Sequence, residues 1–79
     1  MRVVKEFSVE AIRVSIFSWN NKYLIKFESG PLEQTFKVPE MDILEASDLD
    51  GFCAGQFFTE VKERFKEMGQ SLYNQMQNL

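Results

Sequence analysis

Apolar residues in the first forty positions alternate with polar ones, and the alternation changes parity along the way. Val3, Phe7 and Val9 occupy odd positions, whereas Ile12, Val14 and Ile16 occupy even ones. Alternation of this kind marks a strand with one buried face. A parity change requires a bulge or bend near Glu10 and Ala11, or two separate strands. One long, bent first strand is the expectation taken here.

The hairpin over residues 12–29 can be read almost residue by residue. Asn20 and Asn21 stand between two alternating runs, and asparagine tolerates the positive φ of a two-residue hairpin turn. Such a turn sets Trp19 opposite Lys22, Phe17 opposite Leu24, Ile16 opposite Ile25, Val14 opposite Phe27 and Arg13 opposite Glu28. One face then collects Val14, Ile16, Ile25 and Phe27. The other carries Arg13 with Glu28, Ser15 with Lys26, and an apolar end of Phe17, Leu24 and Trp19. A half-buried sheet is normally polar on its open face, so that end is a candidate binding surface.

Residues 29–32 read as a turn around Gly30 and Pro31. A third strand over residues 33–38 places Phe36 and Val38 inward and stops at Pro39, which cannot donate to a ladder. A tight turn sets Glu28 opposite Glu33, and a register looser by two residues sets Lys26 against Lys37. Both oppose like charges, and the sequence leaves the choice open. Residues 40–55 read as irregular. Met41, Ile43 and Leu44 are expected to plug one end of the core, and the stretch from Ser47 to Asp50 to cap a short helical turn. Gly51 and Gly55 break any continuous helix there. This loop either folds over the Phe17, Leu24 and Trp19 end or leaves it open.

A helix over about residues 56–78 follows from the three-four spacing of Phe58, Val61, Phe65, Met68, Leu72 and Leu79, with Phe57, Tyr73 and Met76 beside the stripe. Glu60 with Arg64 and Glu63 with Lys66 support it at helical spacing. About twenty-three helical residues span roughly 34 Å, against roughly 23 Å for a seven-residue strand. About two turns should therefore project past the sheet. They hold Leu72, Tyr73, Met76 and Leu79 and no charged side chain after Glu67. These four residues are the second candidate contact surface.

The expected fold class is α+β: an antiparallel three-stranded meander with a long bent first strand, packed on one face by a C-terminal helix, in the order βββα. Residues 1–79 read as a single small domain. The expected core is Ile12, Val14, Ile16, Tyr23, Ile25, Phe27, Phe36, Val38, Phe58, Val61, Phe65 and Met68.

Composition narrows the function classes. A chain of 79 residues is marginal without a disulfide, a metal or self-association. One cysteine and no histidine argue against an internal disulfide and a structural zinc site. Self-association or a dense aromatic core remains, and eight Phe, one Trp and two Tyr suit either. The formal net charge of −3 does not favour nucleic acid or an anionic membrane. No run approaches a membrane span, and residues 1–7 do not read as a signal peptide, so a cytoplasmic location is expected.

Chemical motifs are sparse. Cys53 lacks a histidine to activate it and is expected to pack in the core. Glu40, Asp42, Glu45, Asp48 and Asp50 are acidic, but their spacing does not match a calcium loop. Gly51 and Gly55 have no following Lys-Ser or Lys-Thr and do not form a phosphate loop. No catalytic residue, metal or cofactor is expected. Strands followed by a helix give an element order similar to the later part of the double-stranded RNA-binding domain. Residues 56–60 contain no base where that family carries lysines, and the leading helix is missing, so the likeness stops at element order. The resulting expectation is a non-catalytic adaptor or accessory module that contacts a second copy or another protein through Phe17, Trp19, Leu24, Leu72, Tyr73, Met76 and Leu79. Single-stranded nucleic acid on the sheet face is the first alternative, and a small-molecule carrier the second.

Overall fold

A computed structural model describes all 79 residues. Strands β1 (Arg2–Val9), β2 (Ile12–Trp19), β3 (Lys22–Ser29) and β4 (Leu32–Pro39) form one antiparallel sheet in chain order. A 3-10 turn (Glu40–Asp42), a 3-10 helix (Ala46–Cys53) and helix α1 (Gly55–Met76) follow. The α+β character stands, but the three-stranded meander is corrected to a four-stranded one. The expected long first strand is two strands, β1 and β2, folded back on each other at Glu10 and Ala11.

Both turn residues take positive φ, 49° and 67°, as a type I′ hairpin turn requires. Val9 then faces Ile12, so a two-residue turn is the source of the parity change. The other two turns do the same. Asn20 and Asn21 adopt φ of 51° and 61°, and Gly30 adopts 58° ahead of Pro31, the type II′ order. Glu and Ala carry no turn signature because the left-handed region costs a non-glycine residue about 1–2 kcal/mol. Here the ladder to β1 and the packing of Phe7 and Val9 on the core offset that cost. Glu10 also pairs with Lys62 on α1 at 3.2 Å.

The β2–β3 register has Phe17 opposite Leu24 and Trp19 opposite Lys22, as the alternation requires. Strands β3 and β4 adopt the tight register, with Ile25 opposite Phe36 and Glu28 opposite Glu33. Lys26 relieves the like-charge pair, its Nζ lying 3.8 Å from Glu28 and 3.6 Å from Glu33.

One sheet face is covered by α1 and the 3-10 helix. The buried core joins Ile12, Val14, Ile16, Ile25 and Phe27 to Phe58, Val61 and Phe65 of α1, and to Leu49 and Cys53. Tyr23, Phe36, Val38 and Met68 border it half-buried. Phe27 is the hub, with the rings of Phe36, Phe57 and Phe58 centred 6.1, 6.3 and 6.2 Å away. Met41 and Leu44 do not plug the core: they are 85% and 90% exposed. Ile43 alone of that trio packs inward, while Leu49 takes the plugging role. The reason is local. Asp48 accepts the backbone N–H groups of Leu44 and Glu45, both at 3.1 Å, which fixes a turn that points Leu49 at the sheet.

Helix α1 starts beside Phe36, where the Phe57 ring sits 5.1 Å away. It passes Gln34, whose Nε2 donates to the Val61 carbonyl at 2.9 Å, and reaches Leu32 at Gly69. Its 22 residues span roughly 33 Å, against roughly 27 Å for an eight-residue strand. The radius of gyration is 14.1 Å, above the roughly 12 Å of a compact chain this long. The excess fits a helix end that stands beyond the sheet, and residues 70–79 are all exposed.

Candidate functional site

The open sheet face has two unlike halves. Toward the Glu10 and Gly30 turns it is polar and charge-paired. Arg13 bonds Glu6 at 2.6 Å, and Lys26 bridges Glu28 and Glu33. Ser15, between Glu6 and Lys26 in the register, is buried. Toward the Asn20 turn the face is apolar. Val3, Phe17 and Leu24 lie side by side on β1, β2 and β3, with Lys37 next in the row on β4. The adjacent row is Trp19, Lys22 and Pro39. Val3 is 52% exposed and Trp19 45%.

Val3 reaches this face because β1 carries a bulge. The register slips between Val3, opposite Phe17, and Lys5, opposite Ile16. The extra residue, Val4, sends Val3 to one face and Lys5 to the other. Without it, Val3 would share the core face with Phe7 and Val9, as simple alternation implies. Lys5 keeps the core parity of Phe7 and Val9, so the alternation carries no signal for the slip. Lys5 is accommodated there by pairing with Asp50 at 3.0 Å and lying over the Phe7 ring.

The loop of residues 40–55 does not cover this patch. Its Ile43, Leu49, Phe52 and Cys53 pack on the opposite, core face. Phe17, Leu24 and Trp19 therefore stay together on an uncovered surface, and Val3, Lys22 and Lys37 join them. Neither lysine forms an ion pair within the chain.

The other expected residues lie at the far end of the molecule. Leu72, Tyr73, Met76 and Leu79 are between 40% and 89% exposed. They continue the buried stripe of Phe58, Val61 and Phe65 past the edge of the sheet. At their base an open groove of about 610 Å³ runs between Pro31 and Leu32 on one side and Met68 and Leu72 on the other. Gln34 borders it, with Nε2 committed to α1 and Oε1 buried without a partner.

Reactive chemistry is confined to one thiol. Cys53 is buried, and desolvation raises its pKa above the ordinary value. Asp50 pushes it the same way, and Lys5 partly opposes the rise. A thiol in that setting stays protonated near neutral pH and is a poor nucleophile. Asp50 and Asp48 are engaged by Lys5 and by backbone N–H groups. No three acidic or thiol groups converge as metal ligands, and no helix is long and apolar enough to cross a membrane. No protein-family profile matches the sequence, and neither curated proteins nor solved structures yield a significant match.

Proposed function

We propose that this protein is a non-catalytic protein-interaction module that self-associates and offers a second surface to another protein. One observation carries the reading: two apolar surfaces stand uncovered at opposite ends of a molecule 46 Å long. One is the patch of Val3, Phe17, Leu24 and Trp19. The other is the helix end of Leu72, Tyr73, Met76 and Leu79. Contiguous apolar area of this kind marks interaction sites, and clustered aromatic side chains dominate binding energy where they are buried by a partner. Self-association also supplies the buried area that a chain this small lacks.

Sedimentation equilibrium over a wide concentration range tests the reading. Dimerisation weakened by Phe17→Glu, or by Leu72→Glu with Met76→Glu, identifies the surface used between copies. The untouched surface is then the bait for a partner in native extract. A monomer at every concentration that also captures no partner would sink the proposal.

A second reading draws on Lys22 and Lys37, which flank Phe17 and Trp19. Rings beside unpaired cations are the arrangement used to stack single-stranded nucleic acid. It predicts salt-sensitive oligonucleotide affinity that Trp19→Ala weakens, and absence of binding at low salt ends it.

A further inference from the structure

We propose that the lysine-flanked patch on the open sheet face receives residues 40–45 of a second copy, reciprocally about a two-fold axis. This rests on the self-association proposed above and assigns it to the sheet end of the molecule.

The two surfaces complement each other in charge and in shape of exposure. On the patch, Lys22 and Lys37 are the only charged side chains beside Val3, Phe17, Leu24 and Trp19 on that half of the face, and neither has an acidic partner. On the segment, Met41 and Leu44 are almost fully exposed. They are interleaved with Glu40 and Asp42, neither of which forms an ion pair or a side-chain hydrogen bond, and with Glu45, whose carboxylate accepts from the Ser47 hydroxyl and the Asp48 backbone N–H. No basic residue occurs between Lys37 and Lys62. Unpaired lysines with apolar neighbours thus meet their match in unpaired carboxylates with apolar neighbours.

Within one chain the two do not pair. After Pro39 the backbone is pinned at the sheet end, where the Glu40 N–H donates to the Asn21 carbonyl at 2.9 Å. The chain then turns toward the core side, where Ile43 is packed. Segment and patch nevertheless lie at the same end, because Pro39 is opposite Lys22 and Lys22 is opposite Trp19. A two-fold axis past that end brings each segment onto the other copy's patch, so that one contact is made twice.

The area suffices. Partial exposure of Val3, Phe17, Trp19 and Leu24, with near-complete exposure of Met41 and Leu44, leaves roughly 600 Å² of apolar surface to cover. The stems of the lysines and acids bring the contact toward the ~800 Å² per partner of a standard interface. Nucleic acid would satisfy the lysines but would meet the carboxylates of the adjoining segment as like charges.

A charge-swap experiment tests the proposal. One variant combines Lys22→Glu with Lys37→Glu, and the other Glu40→Lys with Asp42→Lys. Helix content by circular dichroism checks each fold. Variants with Gln in place of each reversed charge substitute for any that loses it, and their mixture, in which only one of the two contacts pairs opposite charges, should recover association in part. In sedimentation equilibrium each variant alone should dimerise at least tenfold more weakly than wild type. An equimolar mixture should restore association, because both reciprocal contacts then pair opposite charges. Wild-type association should weaken as salt rises. If the variants dimerise like wild type, the contact lies elsewhere: this proposal falls and self-association stands. Loss in both variants without recovery in the mixture also overturns the pairing. A wild type that is monomeric throughout removes both this proposal and self-association, and oligo-dT binding abolished by the lysine variant would then give the patch to nucleic acid.

Discussion

Replacing Ala11 by glycine should stabilise the protein, although it removes atoms and adds no contact. Ala11 occupies the second central position of the β1–β2 turn at φ 67°. The left-handed region costs an alanine about 1–2 kcal/mol, since Cβ crowds the following carbonyl. Glycine has no Cβ, but it carries more backbone freedom in the unfolded chain, worth about 0.5–1 kcal/mol. The alanine methyl is exposed, so no burial is lost. The net gain is about 0.5–1 kcal/mol, which raises Tm by about 2–8 °C for a domain of this size. Urea denaturation followed by circular dichroism should show a higher midpoint at an unchanged m value. Asn21→Gly is the internal control: asparagine already tolerates its φ of 61°, so its gain should be a few tenths of a kcal/mol or nothing. A lower midpoint for Ala11→Gly would refute the reasoning, because it would mean that residue 11 does not sit in the left-handed region and that β1 does not pair through this turn.

Three further outcomes are expected. Gln34→Met removes a hydrogen bond to Val61 worth about 0.5–1.5 kcal/mol, but it also removes a buried acceptor without a partner, a liability of about 1–3 kcal/mol. Stability should therefore hold or rise in the same urea assay, and a loss above about 2 kcal/mol would show that Oε1 is satisfied. Phe65→Ala should cost about 3–5 kcal/mol, whereas Leu72→Ala, one turn beyond the sheet on the same stripe, should change monomer stability by under about 1 kcal/mol; equal losses would mean that the helix end is packed. Cys53 should resist iodoacetamide in the native state and react on unfolding. Its raised pKa has a sign consequence. Below about pH 8.5, the ordinary thiol value, both states hold the proton and the shift has no effect. Above it the unfolded thiol ionises while the folded one stays protonated, so stability falls as pH rises. Cys53→Ser should reduce that alkaline loss, and an unchanged pH profile would count against burial as its cause.

Much of the architecture was legible in the chain because its cause is local. The β2–β3 pairing follows from two asparagines that tolerate positive φ and from alternation on either side, and every opposed pair in that hairpin is the one the spacing requires. Helix α1 follows from its apolar stripe, and its overhang from the rise per residue set against the length of a strand. The uncharged end at Leu72, Tyr73, Met76 and Leu79 needs only the sequence. So does the grouping of Phe17, Leu24 and Trp19, since period-two geometry puts them on one face.

What the tertiary structure alone decided has a common physical reason: a local preference was outweighed by contacts remote in sequence. Glu10 and Ala11 accept a left-handed turn because a fourth strand pairs and packs in return. Glu28 faces Glu33 because Lys26 lies between them. Val3 crosses to the open face because a bulge at Val4 separates it from Lys5, which stays on the core face and pairs with Asp50, forty-five residues away. Leu49 rather than Met41 or Leu44 enters the core because Asp48 ties the loop into the turn that aims it there. Alternation determined which residues could be neighbours on the apolar patch. The sheet's edges, its bulge and the path of the loop decided that the patch stays open, with two unpaired lysines beside it.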